Sequence, residues 1–424
     1  MQSVSRRDFL ASAFVASGGL RLPLAFTSLA ETQPDNPISL PARAVTKPGD
    51  KNLHHFFGYY DKSPWDKTGR YLLANEIDFV DRQPKPEDEL TIGMVDLKDR
   101  DKFIPLGKTT AWCWQQGTML QWLRSAPDRE VMFNSTTEKE PSATILDVLT
   151  GKSRTLPRPI YALSTDGKQA VSLDFARLHR LRPGYGYASY TERFADEAAP
   201  EKLGIWWMDT ASGKNELIIN LKQLAAFKRD DRFKGAHHWV NHLLFNPGGT
   251  RFVFLHRWKA PDAKTWTTRM LTAKPDGSDL RITFDDGMIS HFDWKDDTTI
   301  LAWARTKKDG NHFYTVDVLT GETKMIGETV LTQDGHCSYS PDRKWILNDT
   351  YPDKERMQWL MLLKVSNGRR YDLNKFHSPK QYTGPVRCDL HPRWNRDGTQ
   401  VCFDGCHEPT RQVYVVDVSE VVKS

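Results

Sequence analysis

The sequence of 424 residues contains no Gly-x-Gly-x-x-Gly, no Gly-x-Ser-x-Gly and no cysteine pair at C-x2-C spacing. The first absence removes the glycine-rich cradle that holds nucleotide phosphates, and the second removes the serine elbow of esterases and peptidases. The third leaves no spacing suited to haem attachment or an iron–sulfur cluster. Charge of one sign is also scarce. The 59 Lys+Arg and 54 Asp+Glu nearly cancel to +5 and are mixed along the chain, so nucleic acid is offered no basic face. Nor is there an apolar run fit to cross a bilayer, because the best stretch, Phe9 to Leu29, is broken by Gly18, Gly19, Arg21 and Pro23. With 39% hydrophobic residues the chain is neither disordered nor collagen-like, and no segment has the period of a long amphipathic helix.

What is present begins with an export signal. Ser5-Arg6-Arg7-Asp8-Phe9-Leu10 is a twin-arginine motif, and Ser28-Leu29-Ala30 offers a small-x-small cleavage site. Residues 1–30 are therefore read as a signal peptide, with the twin-arginine translocation machinery as partner and the periplasm or the medium as destination. Their removal takes away three arginines and one aspartate and lowers the charge to +3. This route carries folded proteins, which suits a chain that acquires a metal before export. Five cysteines (Cys113, Cys337, Cys388, Cys402, Cys406) are an odd number for an exported chain, so at least one thiol is free, ligating or intermolecular. The C-x3-C spacing of Cys402 and Cys406 defines no metal site by itself, and Cys113 and Cys402 read as small buried hydrophobes.

Fourteen Trp, 13 Tyr and 20 Phe, punctuated by Gly and Pro, point to a β-rich chain with platforms for flat ligands such as sugars. Seven times a turn precedes a β-rich run: at Ser63–Gly69, Ala126–Arg129, Ser164–Gly167, Asn246–Gly249, Trp294–Asp297, Ser340–Arg343 and Arg396–Gly398. Each unit closes on a second hairpin signature of the form Asp-x-x-(x)-Gly, as in Asp147–Gly151, Asp209–Gly213 and Asp317–Gly321. Counting the variants at 91–97, 269–277 and 359–368 and the final Val413–Val418, there are seven of these too. Paired hairpins recurring every 40–55 residues are the blades of a propeller, so an all-β, seven-bladed β-propeller is expected over 51–424. Residues 31–50 are read as a linker whose end completes the final blade. The long interval between Gly167 and Gly249 implies a large loop, near 176–203, or a short helix.

In a propeller the first strand of each blade lines the central channel, so equivalent positions at its start converge on one mouth. His242 lies seven residues before Gly249, His291 six before Asp297, His336 seven before Arg343 and His391 seven before Gly398. Asp389, two residues before His391, shares its face. His291, His336, Asp389 and His391 are the expected ligands of a divalent metal, with zinc favoured if Cys337 and Cys388 turn inward. The same count back from Gly69 and Arg129 lands on Lys62 and Trp122, close to Tyr59, Tyr60, Gln115 and Gln116. The segments around His55, His238 and Arg257 carry the same mixture of imidazole, aromatic and arginine. The loop from Asp174 to Tyr187 holds Arg177, Arg180 and Arg182 with Tyr185 and Tyr187, a set suited to an anionic sugar.

Three short segments, Trp239-x-x-His242, Ser290-His291-Phe292-x-Trp294 and Asp389-x-His391-Pro392, together with the repeats over most of 50–420, resemble the propeller-type polysaccharide lyases. The oligogalacturonate lyases are the nearest such family, and the ulvan lyases a looser likeness. The resemblance implies that His242 is the Brønsted base and that His291 and His391 bind a divalent metal, usually manganese. Where the family has His-Pro-His-Pro and a nearby glutamine ligand, this chain has Asp389-Leu390-His391-Pro392 and Val386 or Arg387. The expectation is metal-assisted β-elimination on an acidic, uronate-containing oligosaccharide. His242, Arg177, Tyr185 and Tyr187 would be catalytic, and His55, Tyr60, Gln116, Arg182, His238, Arg257 and Arg387 would bind substrate. The rival expectation is a non-catalytic periplasmic propeller that binds a glycan or a protein partner.

Overall fold

The computed structural model describes residues 38–137, 140–229 and 231–424. The twin-arginine segment and its cleavage site lie outside the described residues. The described chain forms seven four-stranded antiparallel sheets, each built mainly from consecutive strands. Blade one, for example, comprises His54–Phe56, Tyr71–Ile77, Leu90–Asp96 and Lys102–Thr109. The architecture is a seven-bladed β-propeller. Every expected turn falls between the first and second strand of a blade, and side-chain chemistry explains why. Asp66 accepts from the Thr68 and Tyr71 amides at 3.0 and 2.8 Å, and Asn246 holds the Thr250 amide at 2.9 Å in the fourth blade. The outer hairpins use the same device, with Asp147 and Asp317 each capping the next two free amides. Second strands are sandwiched between neighbouring blades, which is why Phe252–Lys259 is buried at every position but its last.

The ring closes through the seventh blade. Its inner strands Arg393–Trp394 and Gln400–Gly405 and its third strand Gln412–Asp417 come from the C-terminal part, and Ala42–Ala44 supplies the fourth, with Ala42 opposite Val416. The same seam is tied at its inner edge. Buried Asp404 accepts from Arg393 and Arg411 and from the Phe57 amide, while Arg393 also reaches the Gly58 and Tyr59 carbonyls. Gly58 is required here: its φ is +127°, and a Cβ would meet the Gln116 backbone at 2.7 Å.

The long interval in the third blade holds a helix, Phe175–Leu181, capped by Asp174, followed by an irregular stretch that returns at Gly204. No helix of the described residues is long and apolar enough to cross a membrane. All five cysteines are buried and unpaired, Cys113 and Cys402 among apolar side chains as expected.

Candidate active site

The four histidines do share one mouth. His242 and His291 sit at register shifts in the inner strands His237–Phe245 and Ile289–Trp294. His336 and His391 stand two residues ahead of the inner strands Ser338–Tyr339 and Arg393–Trp394. His242 and His391 have φ of +52° and +44°, a left-handed conformation that is costly for a side chain of this size. The bulged backbone re-aims each imidazole. The rings of His291 and His336 are 4.0 Å apart, those of His336 and His391 4.3 Å, and Tyr59 stacks on His242 at 4.9 Å.

His336, Asp389 and His391 present ligand atoms that all lie within 4.8 Å of one another. Their free valences fit a cation. His336 Nε2, both ring nitrogens of His391 and Asp389 Oδ1 are buried without a hydrogen-bond partner, an arrangement that costs free energy unless something fills it. The protein also fixes one tautomer. Asp349, fully buried on the second strand of the sixth blade, accepts from His336 Nδ1 at 2.9 Å and from the His336 and His391 amides. That leaves His336 Nε2 as the outward lone pair. Burial raises the Asp349 carboxyl to about 7, against the pull of the His336 amide, the nearby His291 charge and the His391 amide. Burial likewise drives His336 and His391 well below the ordinary histidine value, so both are neutral donors. His291 adjoins this group, but its Nδ1 pairs with Asp334 at 2.9 Å and its Nε2 faces the Tyr351 hydroxyl at 3.4 Å.

His242 faces a different set of partners. Tyr59 and Tyr161 place their hydroxyls 3.3 Å from its Nε2 and Nδ1. Burial, and then the charge of Arg257, holds its pKa well below 6.5. Arg257 is itself buried, with Nε and Nη1 unpartnered, and burial next to Arg182 brings its pKa down to about 10. Arg182 lies over the Tyr185 and Trp266 rings. Arg387 joins the two groups, donating to Asp389 at 2.7 Å and to the Tyr185 hydroxyl at 2.6 Å. Gln116 donates to the Tyr161 hydroxyl from below. Tyr161, Asp349 and Asp334 were not expected. Tyr161 had a readable signal, since it lies six residues before Gly167, the same count that gives His291.

Several expected site residues are placed elsewhere or are already engaged. Arg177 is not at the mouth chemistry: it is buried against Glu192 and the carbonyls of Phe194, Glu197, Ala198 and His238, where it ties down the long loop. Tyr187 stacks on Phe175 at 4.3 Å and bonds Asn134, as part of the apolar core. His238 is packed on His256, Phe233 and Trp258, and His55 spends both ring nitrogens on Gln412 and Glu76. Tyr60 packs against His336, but its hydroxyl is used by the Phe292 backbone. Cys337 and Cys388 pack into apolar clusters, so the condition that favoured zinc is not met.

No family profile matches the chain, and no curated protein does. Solved structures do. An oligogalacturonate lyase in complex with manganese superposes with a TM-score of 0.64 at 14% identity, covering 91% of this chain and 95% of that one. An oligogalacturonate lyase from Vibrio parahaemolyticus gives 0.62 at 13% identity, covering 92% and 100%. The fold is that of the oligogalacturonate lyases. At such identity the likeness is one of architecture, and the chemistry has to be argued from the residues at the mouth.

Proposed function

We propose that this chain is an exported polysaccharide lyase that cleaves an acidic, uronate-containing oligosaccharide by β-elimination. The observation that carries this reading is the juxtaposition of a neutral buried imidazole, His242, with an unpartnered buried guanidinium, Arg257, beside a three-residue cation cradle. β-Elimination needs these parts. The C5 proton of a uronate becomes removable only when its carboxylate is neutralised, and a guanidinium with two free N–H groups matches a carboxylate geometrically. A divalent cation, manganese or zinc, held by His336, Asp389 and His391 would add Lewis-acid neutralisation of the same kind.

His242, uncharged near neutral pH, takes the C5 proton. The C5 electron pair forms the C4–C5 double bond, and the C4–oxygen bond breaks. Burial keeps Tyr59 and Tyr161 protonated, since both phenols lie well above their ordinary value. A tyrosine O–H can therefore protonate the leaving oxygen. Tyr59 stands 3.3 Å from His242, so the abstracted proton can return to the phenolate and reset the site. Residues 1–30 belong to the same proposal as a twin-arginine signal delivering the chain to the periplasm or beyond, and the N-terminal sequence of the exported protein tests it. The activity is tested by incubating the metal-supplemented protein with pectic, ulvan and glycosaminoglycan fragments. Unsaturated uronate products raise ultraviolet absorbance, and a flat trace with all three overturns the reading.

A further inference from the structure

We propose that Cys388 and Cys406 form a redox pair that closes into a disulfide when the protein meets an oxidising compartment. Backbone register is the first observation. In the seventh blade Arg393 pairs with Cys402 and Trp394 with Val401, and beyond them the Asp404 amide donates to the Leu390 carbonyl at 2.9 Å. Two residues beyond each end of that Leu390–Asp404 bond lie Cys388 and Cys406, which face one another if the antiparallel course is kept. Antiparallel partners of this kind stand about 5.5 Å apart at Cα, inside the span a disulfide bridges. The side chains agree with the backbone: the two thiols are buried and share one small cluster with Tyr382. Cys113, Cys337 and Cys402 lie in three other clusters, so the five cysteines resolve into one pair and three separate thiols. That division accounts for the odd number without an intermolecular bond.

The reaction is thiol–disulfide exchange with a small or protein disulfide as oxidant. Cys406 attacks one sulfur of the oxidant, releasing one thiol. Cys388 then displaces the second through the mixed disulfide, so two thiol hydrogens and two electrons pass to the oxidant, which leaves as two thiols. The bond would staple the segment 387–391, which carries Arg387, Asp389 and His391, to the end of the strand Gln400–Gly405.

Purified full-length protein is treated with oxidised glutathione, denatured and alkylated, and the alkyl groups are counted by mass. Five are expected after reduction and three after oxidation, with one cross-linked peptide pair joining Cys388 to Cys406. The C402S protein should still lose two thiols on oxidation, while C388S and C406S should lose none to an internal bond. Oxidation should also raise the urea midpoint of the wild type and leave that of C406S unchanged. Five alkylatable thiols after oxidation, or a cross-link to Cys402, overturns the pair.

Discussion

The two sides of the ring line the same mouth in opposite ways. Blades four to seven fill it with His242, His291, His336 and His391, several of whose ring nitrogens are unpartnered or face only hydroxyls. Blades one to three fill it with Tyr59, Tyr60, Gln116 and Tyr161, whose polar atoms are largely bonded to each other, to the backbone or to His242. One side offers lone pairs and the other offers protons. A propeller gives each blade the same fold, so this asymmetry lies in the side chains and in the local backbone at His242, His291 and His391 that aims them. The arginines repeat the contrast: Arg177 satisfies carbonyls and Glu192 at the side, whereas Arg257 is equally buried and has two idle nitrogens.

This contrast can be broken from either side. The largest effect is expected for H242A, which removes the proposed base and should lower the elimination rate by about 10²–10⁴-fold with metal content unchanged. H336A or H391A should abolish stoichiometric metal in elemental analysis of the purified protein. D349N, which changes the carboxylate that orients His336 and holds the His391 amide, should weaken metal affinity by about 10–100-fold in a calorimetric titration. The arginine pair separates binding from folding. R257A should raise KM by about tenfold or more, as expected for a lost charge-assisted hydrogen bond of about 1.5–3 kcal/mol, with little change in the urea midpoint. R177A should do the reverse, costing about 3 kcal/mol of stability because the carbonyls of Phe194, Glu197, Ala198 and His238 lose their donor, while Glu192 keeps Arg180. The smallest effect belongs to Y161F, about 1 kcal/mol or roughly fivefold in rate.

Acid should sharpen the same comparison. His242, His256, His336 and His391 all lie well below 6.5, chiefly through burial. The unfolded chain therefore binds more protons than the native one once pH falls through 6.5, and stability declines from there downward. Asp349 acts with the opposite sign: raised to about 7, its share is present at low pH and is lost as pH rises through that value. Urea midpoints from pH 8 to 5 should show the histidine loss, and D349N should make it steeper, because the opposing Asp349 share, gained as pH falls below about 7, is removed.

The ring was legible because its turns are made by local chemistry. Asp66, Asn246 and Asp147 cap amides a few residues away, so their spacing survives in the sequence as a repeat. The histidine address was legible for the same reason, as a fixed count from a turn. Other features were not. Asp349 stands opposite His336 in the sixth-blade hairpin, but it reaches the His391 amide only once blades six and seven are packed, and no local spacing reports that. Arg177 and Tyr187 were misplaced because loop composition does not say which way a side chain faces. The helix Phe175–Leu181 turns Arg177 away from the mouth and into the carbonyls of its own loop. Tyr161 stands at the same count before Gly167, but a tyrosine does not stand out in a repeat of histidines.

The strand Ala42–Ala44 has a consequence for how the molecule is made. It is synthesised before any blade is complete, yet its partner Val416 emerges after all the others. Through translation this strand waits as an open edge, and the seventh blade cannot form until both arrive. Arg393, Arg411 and Asp404 sit in that last blade and bind the lead-in of the first, so ring closure and the final shaping of the segment bearing His391 are one late, cooperative event. A ribosome-stalled or truncated chain would then carry six blades and no working mouth, which makes the join between first and last strands a checkpoint on assembly.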